Sequence, residues 1–385
     1  MSLNGTRVLV GIIVAAFNLR VMIAGVGPVI DDIRADTGMS SALAGILTGV
    51  PFVFIALFSF AGMALVTRTS PARVITLSLL CLAAGTLLRA VVPSAALVLL
   101  TTIPIGIGIA LAGLGLPGVV KAHFAARPGT VTGIYVASLS LGGALAAAVM
   151  VPLADALGGW RWAFAVWAVP AFVAIPLWYV TVGRSDDGRA LERIVPIGWL
   201  PSRTALLLAV VFGTQSMTFA GTTSWVAAIY VHEGWDPSTA GLTTASVALL
   251  SVPSALVAMQ LSHGRNRRAW ASASAAVVAL SMVGLAATPD TPGWLWAPLF
   301  GIGTGALFPL LLTLPIDLAD SAFEATDLTA WMLGIGYLMS ALAPVLVGAL
   351  RDLTGEFDIA FAFLAVMGAT SAALVWLLRP RHLRE

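Results

Sequence analysis

Arg20 stands in the apolar run FNLRVMIAGVGPVI with Asn18 two residues before it and no acidic residue near it in sequence. A charge at bilayer depth costs at least about 2.5 to 3.5 kcal/mol on insertion scales, so its natural use is to face a protein-lined, water-accessible cavity. A guanidinium so placed can grip a planar carboxylate or another oxyanion through two parallel N–H donors. The chemistry indicated is binding of a small anion; the alternative is a structural arginine tied to backbone carbonyls. Asn18 reads either as a substrate contact or as a hydrogen bonder in helix packing.

Further candidates come from other apolar runs. In GTQSMTFAGTTSW, Gln215, Thr218, Thr222 and Trp225 recur at helical spacing and can share one face, which is expected to form a cavity wall. Threonine and serine also hold membrane helices together, so packing is the competing reading. Tyr135, Ser138, Thr304, Phe308, Trp331 and Tyr337 are candidates of lower rank. Arg89 lies toward one end of its run and is expected to snorkel to the outer surface, or else to draw anions into the cavity.

Catalytic and metal-binding constellations are not found in the sequence. His123, His232, His263 and His382 fall at span ends or in loops, without metal-ligand spacing. The glycines of IGIGIALAGLG follow no strand, which argues against a phosphate-cradling loop. The expectation is therefore no enzyme, no metal and no cofactor.

These residues need elements that reach membrane depth. Of 385 residues, 59% are hydrophobic and only 10% are charged, far below the roughly 25% of a soluble domain. Mean hydropathy is +0.98. Apolar runs of about 20 residues, enough to span the hydrocarbon, recur from end to end. Twelve spans are expected, at 8–30, 42–66, 73–92, 95–120, 130–153, 162–182, 204–230, 238–262, 269–288, 293–316, 326–350 and 357–379. Counted from Val8, Arg20 is about 18 Å into the first, near the centre of a core roughly 30 Å thick. The run lacks a small-residue cleavage site and reads as a retained span. Cys81 is the only cysteine, so no intramolecular disulfide can form.

Twelve spans put both termini on one side of the bilayer. Fifteen Lys and Arg residues then lie on that side, and three, Arg34, Arg161 and Arg351, on the other. Because basic residues resist translocation, both termini are expected to be cytoplasmic, in a plasma (inner) membrane. Every acid can be assigned to a loop or a helix end.

The longest polar stretch runs from Gly183 to Arg203 and divides the chain almost equally. We read residues 1–182 as an amino-terminal half of six helices, 183–203 as a cytoplasmic linker and 204–385 as a carboxy-terminal half of six. GMSSALAGILT at Gly38 aligns with GWDPSTAGLTT at Gly234, an offset of 196, and Gly106 and Gly108 match Gly301 and Gly303, an offset of 195. Near-constant offsets argue for duplication. Halves of this kind, related by an axis along the membrane normal, bind substrate between them near midplane.

With this architecture in view, the chain resembles the major facilitator superfamily over essentially its whole length, an all-α membrane fold. FNLRVMIAGVGPVI at Phe17, LPGVVKAHF at Leu116, GGWRWAF at Gly158, GTGALFPLLLTL at Gly303 and GYLMSALAPVLVGALRDLTG at Gly336 are similar to the cyanate and 2-nitroimidazole permease branch. GMALVTRTSPAR at Gly62 resembles a degenerate form of the superfamily loop between spans two and three. The resemblance implies a secondary transporter of small anions or small polar heterocycles and carries the arginine of the NLR motif onto Arg20. The sequence departs from that branch at Val21 (proline), Gly113 (asparagine), Ala220 (tyrosine) and Leu333 (glutamine). Those departures imply a less polar cavity and admit a larger carboxylate.

The expected function is secondary active or facilitative transport by alternating access. The partners are a small-molecule substrate and the lipid bilayer, with no nucleic acid, and the chain is expected to act as a monomer. The alternative is an exporter of mostly neutral, apolar compounds in which Arg20 is structural. With no acid or histidine in the spans, coupling is open between uniport, exchange and entry of a proton or other ion with the substrate. Asp155 and Asp352, at equivalent positions after spans five and eleven, are read as capping or solvating residues rather than coupling groups.

Overall fold

The computed structural model describes residues 3–66, 69–182, 200–262, 267–289 and 294–378. The Gly183–Arg203 linker falls largely outside them, as does part of the Gly62 segment, including Arg68. The described residues are helical, with no strand, and twelve spans are long and apolar enough to cross a membrane. In chain order the helices are α1 (Leu3–Ala24), α2 (Ile30–Thr37), α3 (Ser41–Val66), α4 (Pro71–Val91), α5 (Ala95–His123), α6 (Pro128–Leu157) and α7 (Trp160–Thr181). There follow α8 (Arg203–His232), α9 (Pro237–Leu261), α10 (Arg267–Ala287), α11 (Trp296–Leu318), α12 (Ala322–Thr354) and α13 (Asp358–Leu374).

Local sequence explains many of the ends. Ser70, Ser94, Ser202, Asp236 and Ser321 accept a hydrogen bond from a backbone N–H of the turn they open. Gly38, Gly158 and Gly355 close α2, α6 and α12 in the left-handed conformation. Large apolar side chains such as Leu80, Leu100, Val173, Leu256 and Leu280 point outward, which suits a surface solvated by lipid.

The first span differs from its expected form. Instead of continuing to Ile30, α1 stops at Ala24; a 3-10 turn over Gly27–Val29 and the short polar α2 follow. Pro28 lacks the N–H that would extend the ladder. Gly27 lies so close to α8 that a Cβ there would stand 2.9 Å from the Thr223 carbonyl oxygen.

The first six spans meet the last six chiefly along α3 with α12 and α6 with α9. Small residues permit that approach. A Cβ on Gly45 would strike the Pro344 backbone, and one on Gly348 the Ser41 backbone.

Arg34, Arg161 and Arg351, expected in loops, occupy helix ends and pair with acids there. Arg351 donates to Asp31 from Nη1 at 2.6 Å and Nη2 at 3.2 Å, tying α12 to α2. Arg34 donates to the same carboxylate at 2.7 Å, and Arg161 pairs with Asp36. Asp352 accepts from the backbone N–H groups of Ser41 and Ala42, both at 2.9 Å. It therefore caps α3 from across the molecule, whereas Asp155 is exposed at the end of α6.

Arg89 is corrected outright. It is fully buried: Nε donates to Thr101 at 3.2 Å and Nη2 to Thr102 at 2.9 Å, and its guanidinium lies 5.5 Å from the centre of the Phe164 ring. The rotation of α4 turns this side chain toward α5 and α7, where two hydroxyls and a ring face meet it, while Nη1 is buried without a partner among the described residues.

Candidate functional site

A cavity of about 1030 Å³ runs into the middle of the bundle. Its walls come from α1, α3, α5 and α6 of the first six spans and α8, α9, α11 and α12 of the last six; α4, α7, α10 and α13 contribute none. It is open at one end only. The lining extends to Pro117 and Ile316, near the carboxy-terminal ends of α5 and α11, and to Ala325 in the first turn of α12. Those ends share a membrane face with the start of α1.

The opposite end is closed. Ser224 Oγ donates to Thr48 Oγ1 at 2.7 Å, joining α8 to α3, and beyond it lie the Asp31–Arg351 pair and the Asp352 cap.

Arg20 lines the cavity at its inner end. α6 leaves room for its stem, since a Cβ on Gly143 would come within 3.2 Å of Arg20 Cβ. The guanidinium carbon lies 5.0 Å from the centre of the Phe219 ring, a cation–π contact worth about 0.5 to 2 kcal/mol. Among the described residues no acid or carbonyl is hydrogen bonded to it. That excludes the carbonyl-tied arrangement and leaves the N–H donors directed at the cavity.

Tyr135 and Tyr337 also line the wall, and among the described residues neither hydroxyl has a protein partner. Tyr337 is braced by rings, stacked on Phe52 at 6.0 Å and edge-on to Phe212 at 5.2 Å. Phe308, also on the wall, packs against Phe212 at 5.9 Å. Ser59, Thr223 and Thr329 on the wall each bond a backbone oxygen of their own helix, at Ile55, Phe219 and Ala325, whereas Thr244 Oγ1, also on the wall, is buried without a partner among the described residues. Among the described residues no Asp, Glu, Lys or His lines the cavity.

Five candidates from the sequence lie elsewhere. Asn18 is buried and donates to Val14 O at 2.8 Å within α1, the packing alternative. The α8 stripe is buried against its neighbours. Gln215 donates to Thr304 at 3.0 Å, Thr218 to the Gln215 backbone at 2.6 Å, Thr222 to the Met282 sulfur at 3.1 Å and Trp225 to Pro344 O at 2.9 Å.

The α8 residues that do face the cavity, Phe219 and Thr223, are each one position later than a stripe residue, about 100° around the helix. A single sequence has no signal for that rotation, because a polar face can turn to water or to a neighbouring helix. Ser138, Thr304 and Trp331 are likewise off the wall. Two departures from the permease branch, Gly113 and Leu333, are on it, whereas Val21 and Ala220 are buried.

Known proteins share this arrangement. The chain is 33% identical to the uncharacterized transporter YycB of Bacillus subtilis, covering 93% of this chain and 91% of that one. It is 31% identical to the cyanate transport protein CynX of Escherichia coli over 93% of this chain and 94% of the relative. It is 30% identical to the 2-nitroimidazole transporter of the same organism over 96% and 94%.

The fold matches a bacterial homologue of the human lysosomal transporter Spinster in an inward-facing, occupied conformation. The TM-score is 0.80 at 15% identity, over 97% of this chain and 96% of that one. A D-xylose–proton symporter matches with a TM-score of 0.76, also at 15% identity, over 97% and 98%. A sequence profile of the Major Facilitator Superfamily covers residues 8–340. The twelve-span fold, the central cavity and these relatives, which are transporters and not enzymes, agree: this chain belongs to the Major Facilitator Superfamily.

Proposed function

We propose that the chain is a secondary active or facilitative transporter that binds a small anion or a small polar heterocycle at Arg20 and moves it by alternating access. The single observation that carries this reading is the Arg20 guanidinium, without a protein anion and on the wall of a cavity between helices of both sequence halves. Tyr135 and Tyr337 supply hydroxyl donors beside it. The relatives named for cyanate and 2-nitroimidazole transport fit a small, planar, polar or anionic substrate.

With residues 1–182 and 204–385 as the rocking halves and both termini cytoplasmic, the open end faces the cytoplasm. The closed end is the outer gate. An exporter of neutral compounds gains nothing from a cation left uncompensated at membrane depth.

The test is a thermal-shift screen of the purified protein against carboxylates, cyanate, nitrate and nitroimidazoles, repeated on Arg20→Gln. A ligand at one hundred times its Kd stabilises the native state by about 2.7 kcal/mol. The proposal expects anion-selective shifts that Arg20→Gln abolishes. Equal shifts from neutral compounds in both proteins would refute it.

A further inference from the structure

The cavity wall carries more information than the sign of its charge. Among the described residues it bears one uncompensated cation and no acid. A second carboxylate on the substrate would find no second cation there, and an ammonium group would find no acid. Burying an unpaired charge is prohibitive, so dianions, cations and amino acids are disfavoured and a monoanion is selected.

The rest of the wall is aromatic and aliphatic. Phe52, Phe219, Phe308, Tyr135 and Tyr337 line it, and the Phe52 and Tyr337 rings are within 20° of parallel. At Gly113 a side chain would meet nothing within 4 Å, so the cavity widens there, and Leu333 adds an apolar surface. An anion of a few atoms would satisfy Arg20 and leave this surface in contact with water.

We infer that the substrate is a ring-bearing monocarboxylate, its carboxylate on Arg20 and its ring against the aromatic wall. This rests on the proposal that Arg20 binds an anion and adds the part of the ligand that the apolar wall selects. Burial of a ring the size of a phenylalanine side chain contributes about 1.5 to 3 kcal/mol, equivalent to roughly ten- to 150-fold in affinity.

The experiment titrates the purified full-length protein with benzoate, acetate, cyanate and benzamide, reading half-saturating concentrations from thermal shift. Phe308→Leu, on the wall but away from Arg20, and Gly113→Leu are titrated alongside, the second because its side chain enters open space and leaves the fold intact. Benzoate is expected to half-saturate at least about tenfold below acetate and cyanate. Both variants are expected to weaken benzoate several-fold and leave acetate unchanged.

Acetate or cyanate matching benzoate, still dependent on Arg20, would overturn the ring and leave the anion reading standing. So would benzoate binding untouched by both variants. Benzamide matching benzoate, with Arg20→Gln without effect, would overturn the anion reading itself. No benzoate response at millimolar concentration, with a response to cyanate, would also overturn the ring.

Discussion

At the scale of single residues, the decisive contrast is between the two arginines within the spans, Arg89 buried and Arg20 partly exposed to the cavity. Arg89 is enclosed by Thr101, Thr102 and Phe164 and belongs to the framework. Arg20 has only the Phe219 ring face and is left with donors to spare. Arg20→Gln is therefore expected to weaken anion binding by about 10- to 150-fold, the range for a hydrogen bond to a charged group. It should also leave the melting temperature of the unliganded protein unchanged or raised, because an unpaired cation is removed from a costly position. Ligand titrations and melting curves of the same preparation check both.

Tyr337→Phe keeps the stacking on Phe52 and removes one hydroxyl, so a loss of about two- to twelvefold in affinity is expected. Thr222→Val, which faces Met282 rather than the cavity, should leave affinity unchanged in the same titration. An effect of Thr222→Val as large as that of Tyr337→Phe would put the α8 polar face back on the ligand.

In the proposed orientation the shut end is the outer one, and the elements explain the closure. α1 is broken at Pro28, and the polar α2 that follows brings Asp31 within reach of Arg351 on α12. α3 and α12 approach closely through Gly45 and Gly348, and Asp352 completes the seam by capping α3. These contacts cross from the first six spans to the last six, so opening the outer face must break them.

Asp352→Asn keeps the shape but loses the charge. The cost is that of a weakened helix cap, about 0.5 to 2 kcal/mol, which shifts the closed-to-open ratio about two- to thirtyfold. Distance measurements between spin labels on the outer ends of α3 and α12 are expected to report a larger open population in the variant. An unchanged distribution would reduce Asp352 to a solvated loop-end residue.

For the whole molecule, the cavity has one mouth, at the face where α1 begins and where fifteen of the basic residues are assigned by the span count. In a protein with Cys81 replaced by alanine, Ala325→Cys in the first turn of α12 is expected to react with a membrane-impermeant thiol reagent only from the cytoplasmic side. Ser224→Cys, buried at the closed end, is expected to be unreactive from both sides. Reaction of Ala325→Cys in intact cells from outside would reverse the orientation. The absence of acid and histidine from the wall bears on energetics as well. Among the described residues none of the side chains that ordinarily titrate near neutral pH lines the cavity, so a co-transported proton can travel on the substrate itself.

The sequence by itself determined the span count and the place of Arg20 within the first span without a nearby acid, because hydropathy and charge are properties of a residue and its position along the chain. It also marked Tyr135, Phe308 and Tyr337, as polar or aromatic groups in otherwise aliphatic runs. Only the tertiary structure decided which face of each helix meets the cavity. In water a polar stripe marks the solvent side, but in a bilayer the outside is as apolar as a helix interface. Gln215, Thr218, Thr222 and Trp225 could therefore face either the cavity or their neighbours, and they face Thr304, Met282 and Pro344. The burial of Arg89 and the cap from Asp352 to Ser41 were decided in the same way, by partners more than ten residues away that no local pattern encodes.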